Sequence, residues 1–328
     1  MNIIIKGLKK HLLLCYAVSM AASWAWGTSL VVGIEIVQTK GILPYLIWAV
    51  ANSLSLPLFG FIAFRIPKLE EVIHTKIVML FTTLVQCFCL WIQMNAIYEV
   101  LVDHNIVGIL EAKAVAIVIA ILFIIVLFQN GLMRSVFSDQ PIWTLCYITM
   151  LLTAAIGFLS NSCNRNIVFL NSNNDVVWAL YTCIVLFSGP FMDIQNWQLA
   201  KKVYAEKKLH AYYLAGIFFA FYMSLVFVLG WVSFNRAMDI LLVIVVICVA
   251  TSTINNAIVG MQRIAGCKVG VIIAGVCVAG WQIVIPMKVM GLWLTIGTAR
   301  IYMICVCILI AFVWNFCEKK QGKKEVNV

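Results

Sequence analysis

The sequence predicts an all-α, polytopic membrane protein of about ten transmembrane helices. Its apolar composition and the alternation of its basic residues from one connection to the next both predict this. Of 328 residues, 64% are hydrophobic and 11% charged, and the mean hydropathy is +1.03. A water-soluble domain carries roughly 25% charged residues to cover its surface. Apolar side chains are instead a suitable surface in lipid, where a spanning helix takes about 20 mostly apolar residues. The chain therefore has room for about ten spans and short loops, and none for a separate soluble domain. The formal net charge of +10 does not indicate nucleic acid, because the charges gather at helix ends, where they act as topology signals.

The spans follow from apolar stretches bounded by charge or turn signals. The first, 12–38, follows Lys6, Lys9 and Lys10. Its Ala21-Ala22-Ser23 faintly resembles a signal-peptide cleavage site, but apolar character continues to Val37, which favours a retained helix. The second, 42–64, lies between Lys40-Gly41 and Arg65, and the third, 76–100, starts at Lys76. The fourth and fifth are 113–134 and 140–160. The longest connection, Asn-rich, runs from Asn161 to Asp175. The remaining spans are 175–200, 210–233, 238–262, 268–286 and 291–316, followed by a basic tail, 317–328. The whole forms one transmembrane domain, 1–328, with five helices in 1–160 and five in 175–316.

Orientation follows from placing the N-terminus inside and alternating. The outside then holds only Lys40, Lys113, Arg165, Arg236 and Lys288. Arg300 falls within the tenth span, and every other one of the 23 Lys and Arg residues lies on the side of the termini. That asymmetry supports ten crossings with both termini cytoplasmic; the expected location is a bacterial inner (plasma) membrane, although the topology does not reveal the organism. The cysteines, such as Cys87, Cys89, Cys248 and Cys305, sit in apolar stretches as small packing residues, with Cys163 alone in a loop.

Two spans are interrupted. The first carries Ser23-Trp24-Ala25-Trp26-Gly27-Thr28-Ser29 near its middle, and the sixth carries Ser188-Gly189-Pro190-Phe191-Met192-Asp193. Pro190 removes a backbone donor, and Gly189 lets the chain leave helical geometry. Non-helical backbone at membrane depth persists only where protein buries it or where it lines a cavity. These spans open the two five-helix halves, and interrupted helices at corresponding positions point to a transporter binding site. An odd number of helices per half makes the second half inverted. No clear sequence repeat joins the halves.

Four stretches carry a family resemblance. Ala22-Ser23-Trp24 with Gly27-Thr28-Ser29, Gly33 and Gly41 looks like the first core helix of sodium:solute symporters. The run Gly131-Leu132-Met133-Arg134-Ser135-Val136-Phe137-Ser138-Asp139 resembles that family's loop after the fourth core helix. Asp193-Ile194-Gln195-Asn196-Trp197-Gln198 is similar to the run after its broken sixth core helix, with Leu199 in place of an Arg. Ser252-Thr253-Ile254-Asn255-Asn256-Ala257 resembles its eighth core helix. The resemblance covers nearly the whole chain and implies a LeuT-type five-plus-five inverted repeat. It further implies Na+ as coupling ion, bound by the carbonyls of Ala22, Ala25 and Val249 and the hydroxyls of Ser252 and Thr253. Several oxygen ligands suit that hard cation. The alternative for Ser252 and Thr253 is hydrogen bonding back to the preceding helical turn.

The substrate pocket is expected beside the breaks, lined by Trp26, Thr28, Ser29, Phe191, Asp193 and Gln195, with Gln86 or Gln93 facing from the third span. Asp193, an acid at membrane depth, is functional by default, although it can also cap the second half of its helix. Glu35, roughly 13 Å from Trp26 along the helix, falls at the interface, the alternative being a role in the outer vestibule. Arg300 is a pocket or gate charge for an acidic substrate, or else it snorkels to the outer interface. His11, His74, His104 and His210 all lie near helix ends, and no His-Cys-Asp cluster lies at membrane depth, so an enzyme is not expected. The expected function is sodium-coupled symport of a small solute by alternating access, with lipid and solute as partners, in a monomer or homodimer. The alternatives are a proton-coupled or sodium-independent permease of the same fold, or a non-transporting sensor or scaffold.

Overall fold

The computed structural model describes residues 11–63, 65–126, 132–160 and 167–325, with side chains described except at Arg134 and from 319 onward. Lys6, Lys9, Lys10, Gly131, Cys163 and Arg165 lie outside the described residues. The described chain is all-α. Eight helices are long and apolar enough to cross a membrane, and a bent pair at the start raises the number to nine. This is an integral, multi-pass membrane architecture.

In chain order the helices are α1 (Leu12–Trp24), α2 (Gly27–Thr39), α3 (Ile42–Ile62), the short α4 (Leu69–Ile73), α5 (Lys76–Asp103), α6 (Ile109–Val126) and α7 (Leu132–Leu159). There follow α8 (Asn173–Ser188), a 3-10 turn at Pro190–Met192, α9 (Ile194–Ala205), α10 (His210–Trp231) and α11 (Arg236–Ala265). Last come α12 (Cys267–Gly280), two further 3-10 turns, Trp281–Ile283 and Ile285–Met287, and α13 (Lys288–Glu325). The fifth span therefore begins two turns earlier than its apolar run. Ser135, Ser138 and Asp139 are helical residues facing protein, not loop residues.

Depth in the bundle follows from sequence. In α6 only Ala112, Ala116, Ala120 and Ile124 are buried. Their spacing of four puts them on one stripe, small enough for close packing in lipid, while Val118, Ile121 and Ile125 face outward. By contrast α11 buries an unbroken run from Cys248 to Met261 and packs on α5, α7 and α12. It forms the centre of one group of helices. In a second group, α10 packs on α1, α2 and α3, and α3 packs on α8.

The two ends of the bundle are fastened differently. At the end carrying the termini, Tyr16 donates to Glu206 at 3.0 Å, and Lys208 pairs with Glu206 at 2.6 Å. Lys201 pairs with Glu70, and Lys68 with Glu71 and Glu318. At the opposite end Lys40 pairs with Asp175 at 2.9 Å and His104 with Asp239 at 2.6 Å. There Gly41, at φ +101°, turns the chain so that Ile42 and Leu43 donate to the Val168 and Phe169 carbonyls. Glu35 is exposed at this end.

Candidate functional site

The α1–α2 break spans Ala25 and Trp26 and bends the axis by 61°. Its freed groups are met locally. Gln93 of α5 accepts from the Gly27 N–H at 2.6 Å, and Ser29 Oγ donates to the Ala25 and Trp26 carbonyls at 2.7 and 2.8 Å. The second break spans Gly189 to Asp193. Trp197 Nε1 donates to the Phe191 carbonyl at 2.8 Å, and Asp193 caps α9 by accepting from the Gln195 N–H at 3.1 Å. Gln86 of α5 donates to the same Asp193 oxygen at 3.1 Å. Each of the two α5 glutamines thus holds one break. The breaks themselves abut, because the Trp24 ring lies where a Cβ on Gly189 would project.

Beside the breaks a polar layer gathers three of the four resembling stretches together with Ser19 of α1. Ser19 donates to Asp139 of α7 at 2.6 Å. Asp139 is fully buried, and its Oδ1 has no partner. Ser252 of α11 stands close enough to act on the same carboxylate as a donor, although its hydroxyl is not in hydrogen-bond geometry with it. Gln195 donates to Asn256, Ser135 reaches Asn256 at 3.4 Å, and Asn255 reaches Ser138 at 3.5 Å.

Of the residues implied as sodium ligands, Thr253 bonds back to the Val249 carbonyl at 3.2 Å, as membrane threonines do. Ser252 does not. The Ala22 carbonyl accepts from the Ala25 N–H, and the Ala25 carbonyl from Ser29. A carbonyl has two lone pairs, so Ala22 and Ala25 each keep acceptor capacity, whereas the Val249 carbonyl already takes the helical N–H and the hydroxyl of Thr253. Among the described residues no group of three or more His, Cys, Asp or Glu is placed to hold a metal. What the layer offers is neutral oxygens and one carboxylate, the donor set of a hard cation.

The other space beside the breaks is a narrow cleft of about 20 Å³, room for about one water. Trp26, Thr28 and Ser29 line it, as do Trp24, Trp48, Asn52, Trp293 and Arg300. Arg300 does not snorkel: it is 2% exposed, its guanidinium 5.0 Å from the Trp26 ring centre. Phe191, Asp193 and Gln195 lie outside this cleft. The Phe191 ring packs edge-on against Phe59, 5.1 Å between centres, in a cluster with Trp197.

Asp139 belongs to one of the resembling stretches but is not among the expected site residues, and neither are Trp48 and Asn52. The available signal was Asn52-Ser53-Leu54-Ser55, three polar residues inside the apolar second span.

Fold and site together define an α-helical, multi-pass membrane protein in which the bent α1–α2 pair meets the turn between α8 and α9 among buried polar groups. The chain matches no protein-family model and no curated protein sequence.

Proposed function

We propose that the protein is a secondary active transporter that couples movement of a small solute to sodium by alternating access. The contact of the two helix breaks at Trp24 and Gly189, deep in the bundle and beside unpartnered polar atoms, carries this reading. Counting the shorter apolar segment Cys267–Ile283 as a span gives ten, arranged as five plus five with an interrupted helix opening each half. That is the pattern of transporters whose site lies between repeats at mid-membrane, and it agrees with the resemblance to sodium:solute symporters. The two helix groups supply the bodies that rock against each other. The basic residues put both termini on the cytoplasmic side of a plasma membrane.

Sodium is proposed between the α1 break and α11, held by Ala22, Ala25, Val249, Ser252 and Thr253, with Asp139 added to that set. An ionised carboxylate at membrane depth costs several kcal/mol unless paired. A sodium ion beside Asp139 Oδ1 removes that cost and draws the neighbouring Ser252 hydroxyl oxygen into its ligand set. The ion thereby stabilises the state that receives the solute.

The test needs no solute. Sodium is titrated against potassium at constant ionic strength on the detergent-purified protein, following tryptophan fluorescence. A saturable, sodium-selective change is expected, because Trp24 and Trp26 flank the break. It should disappear in Ser252→Ala and in Asp139→Asn. Identical responses to the two ions in folded protein would refute sodium coupling.

A further inference from the structure

The geometry points to a small organic carboxylate, with a planar or apolar body, as the solute of the cleft between α2, α3 and α13, its carboxylate held by Arg300. This inference rests on the transport reading and names the solute class of that site. Arg300 is buried at the foot of the first break, yet its Nε and Nη1 have no partner. Among the described residues no carboxylate stands within ion-pair distance of it, and Asp193 acts on it only through space. A charge held in the bundle interior without a counter-ion marks a functional position. The unused groups around it are mainly donors: Trp48 Nε1, Asn52 Nδ2 and the hydroxyl of Thr28. Donors converging beside a guanidinium call for an acceptor-rich anion, and the planar fork of Arg matches a carboxylate in two parallel hydrogen bonds.

The walls define the rest of the solute. Trp24, Trp26, Trp48 and Trp293 present four indoles to the cleft, surfaces that favour a flat or apolar body over a hydrated inorganic anion. As it stands in the structure the cleft has room for about one water. The solute therefore enters when the halves of the broken helices separate, and closure of the indoles over it completes its burial.

The test uses the full-length protein in detergent with sodium chloride and reads the midpoint of thermal unfolding against ligand concentration. Acetate, lactate, benzoate, nicotinate and indole-3-acetate are each compared with their primary amide and with inorganic phosphate. At least one carboxylate is expected to raise the midpoint saturably, with its amide binding at least about tenfold more weakly, the scale of a lost charge-assisted hydrogen bond. Arg300→Gln should abolish the response while its unliganded midpoint holds or rises, because an unpaired buried charge is removed. Trp48→Phe, which keeps the ring and loses one donor, should weaken binding about fivefold to tenfold. No response to any of the five carboxylates, equal binding of acid and amide, an equal effect of phosphate, or full binding by Arg300→Gln would each overturn the inference.

Sodium-driven uptake into vesicles separates the two proposals. Arg300-dependent binding of a carboxylate without uptake refutes the transport reading and leaves the ligand assignment standing. Equal uptake of a carboxylate and its amide does the reverse.

Discussion

Gly189→Ala tests whether the two helix breaks bear on each other. Gly189 has φ −56° and ψ −56°, a helical conformation that alanine adopts without strain. On backbone grounds alone the substitution should stabilise the protein by about 0.5–1 kcal/mol. The new methyl, however, would run into the Trp24 ring and come within 3.2 Å of the Leu186 carbonyl. The ring has little freedom to yield, being 6% exposed and tied through Nε1 to the Asn52 carbonyl at 3.1 Å. Overpacking at such a site costs about 1–3 kcal/mol, so the clash wins and the variant should be less stable by about 1–2 kcal/mol. In a Trp24→Leu background, itself weakened by about 3 kcal/mol, the obstruction is gone and the sign should invert to a gain of up to about 1 kcal/mol. Equilibrium unfolding of the four proteins in mixed detergent micelles gives the cycle. The same gain from Gly189→Ala in both backgrounds would mean that Trp24 and Gly189 are not in contact, and the case for a shared site at the breaks would go with it.

The polar layer should trade stability for ion response. Asp139→Asn is expected to unfold at a higher temperature than the parent in sodium-free buffer and to lose the sodium effect, whereas Ser19→Ala, which removes the hydrogen bond that Ser19 donates to Asp139, should cost about 1–3 kcal/mol. Trp197→Phe keeps the ring beside Phe59 but leaves the Phe191 carbonyl unmet, for a loss of about 1–2 kcal/mol in the same unfolding assay. At the end carrying the termini, burial pushes the Glu206 carboxyl up. The hydrogen bonds from Lys208 and Tyr16 and the charges of Lys208 and Lys202 outweigh it and hold the group below its ordinary value. A carboxylate depressed in the folded protein stabilises above its unfolded pKa and loses that contribution as pH falls through the folded one. The difference in unfolding midpoint between the parent and Glu206→Gln should therefore be full at neutral pH and shrink below about pH 4. A difference that stays constant down to pH 3 would refute the latch formed by Tyr16, Glu206 and Lys208.

Hydropathy reports whether a stretch can face lipid, and the outer features of this fold are written in that measure. The spans stand out because almost every residue facing outward is apolar. The breaks stand out because Gly189-Pro190 and the polar Ser23–Ser29 stretch interrupt that pattern at a depth where loops are excluded. Asp139 shows where the measure fails. The stretch Ser135-Val136-Phe137-Ser138-Asp139-Gln140 contains too many polar residues to read as a span, and it passes for the loop before one. It is the first two turns of α7, and Ser135, Ser138 and Asp139 face α1 and α11 rather than lipid. A polar residue looks the same in sequence whether water or another helix surrounds it. Arg300 is ambiguous in the same way: a guanidinium in the outer half of a span can snorkel or turn inward, and nothing in its own helix decides between them. The decision comes from Trp26, Trp48 and Asn52 on two other spans, whose rotation about their axes is set by packing in the second helix group. Register between spans is a property of pairs of helices. Asp139 with Ser19 and Ser252, and Arg300 with Trp26, are such pairs. The residues that bear the proposed chemistry are therefore those whose neighbours a single span cannot name.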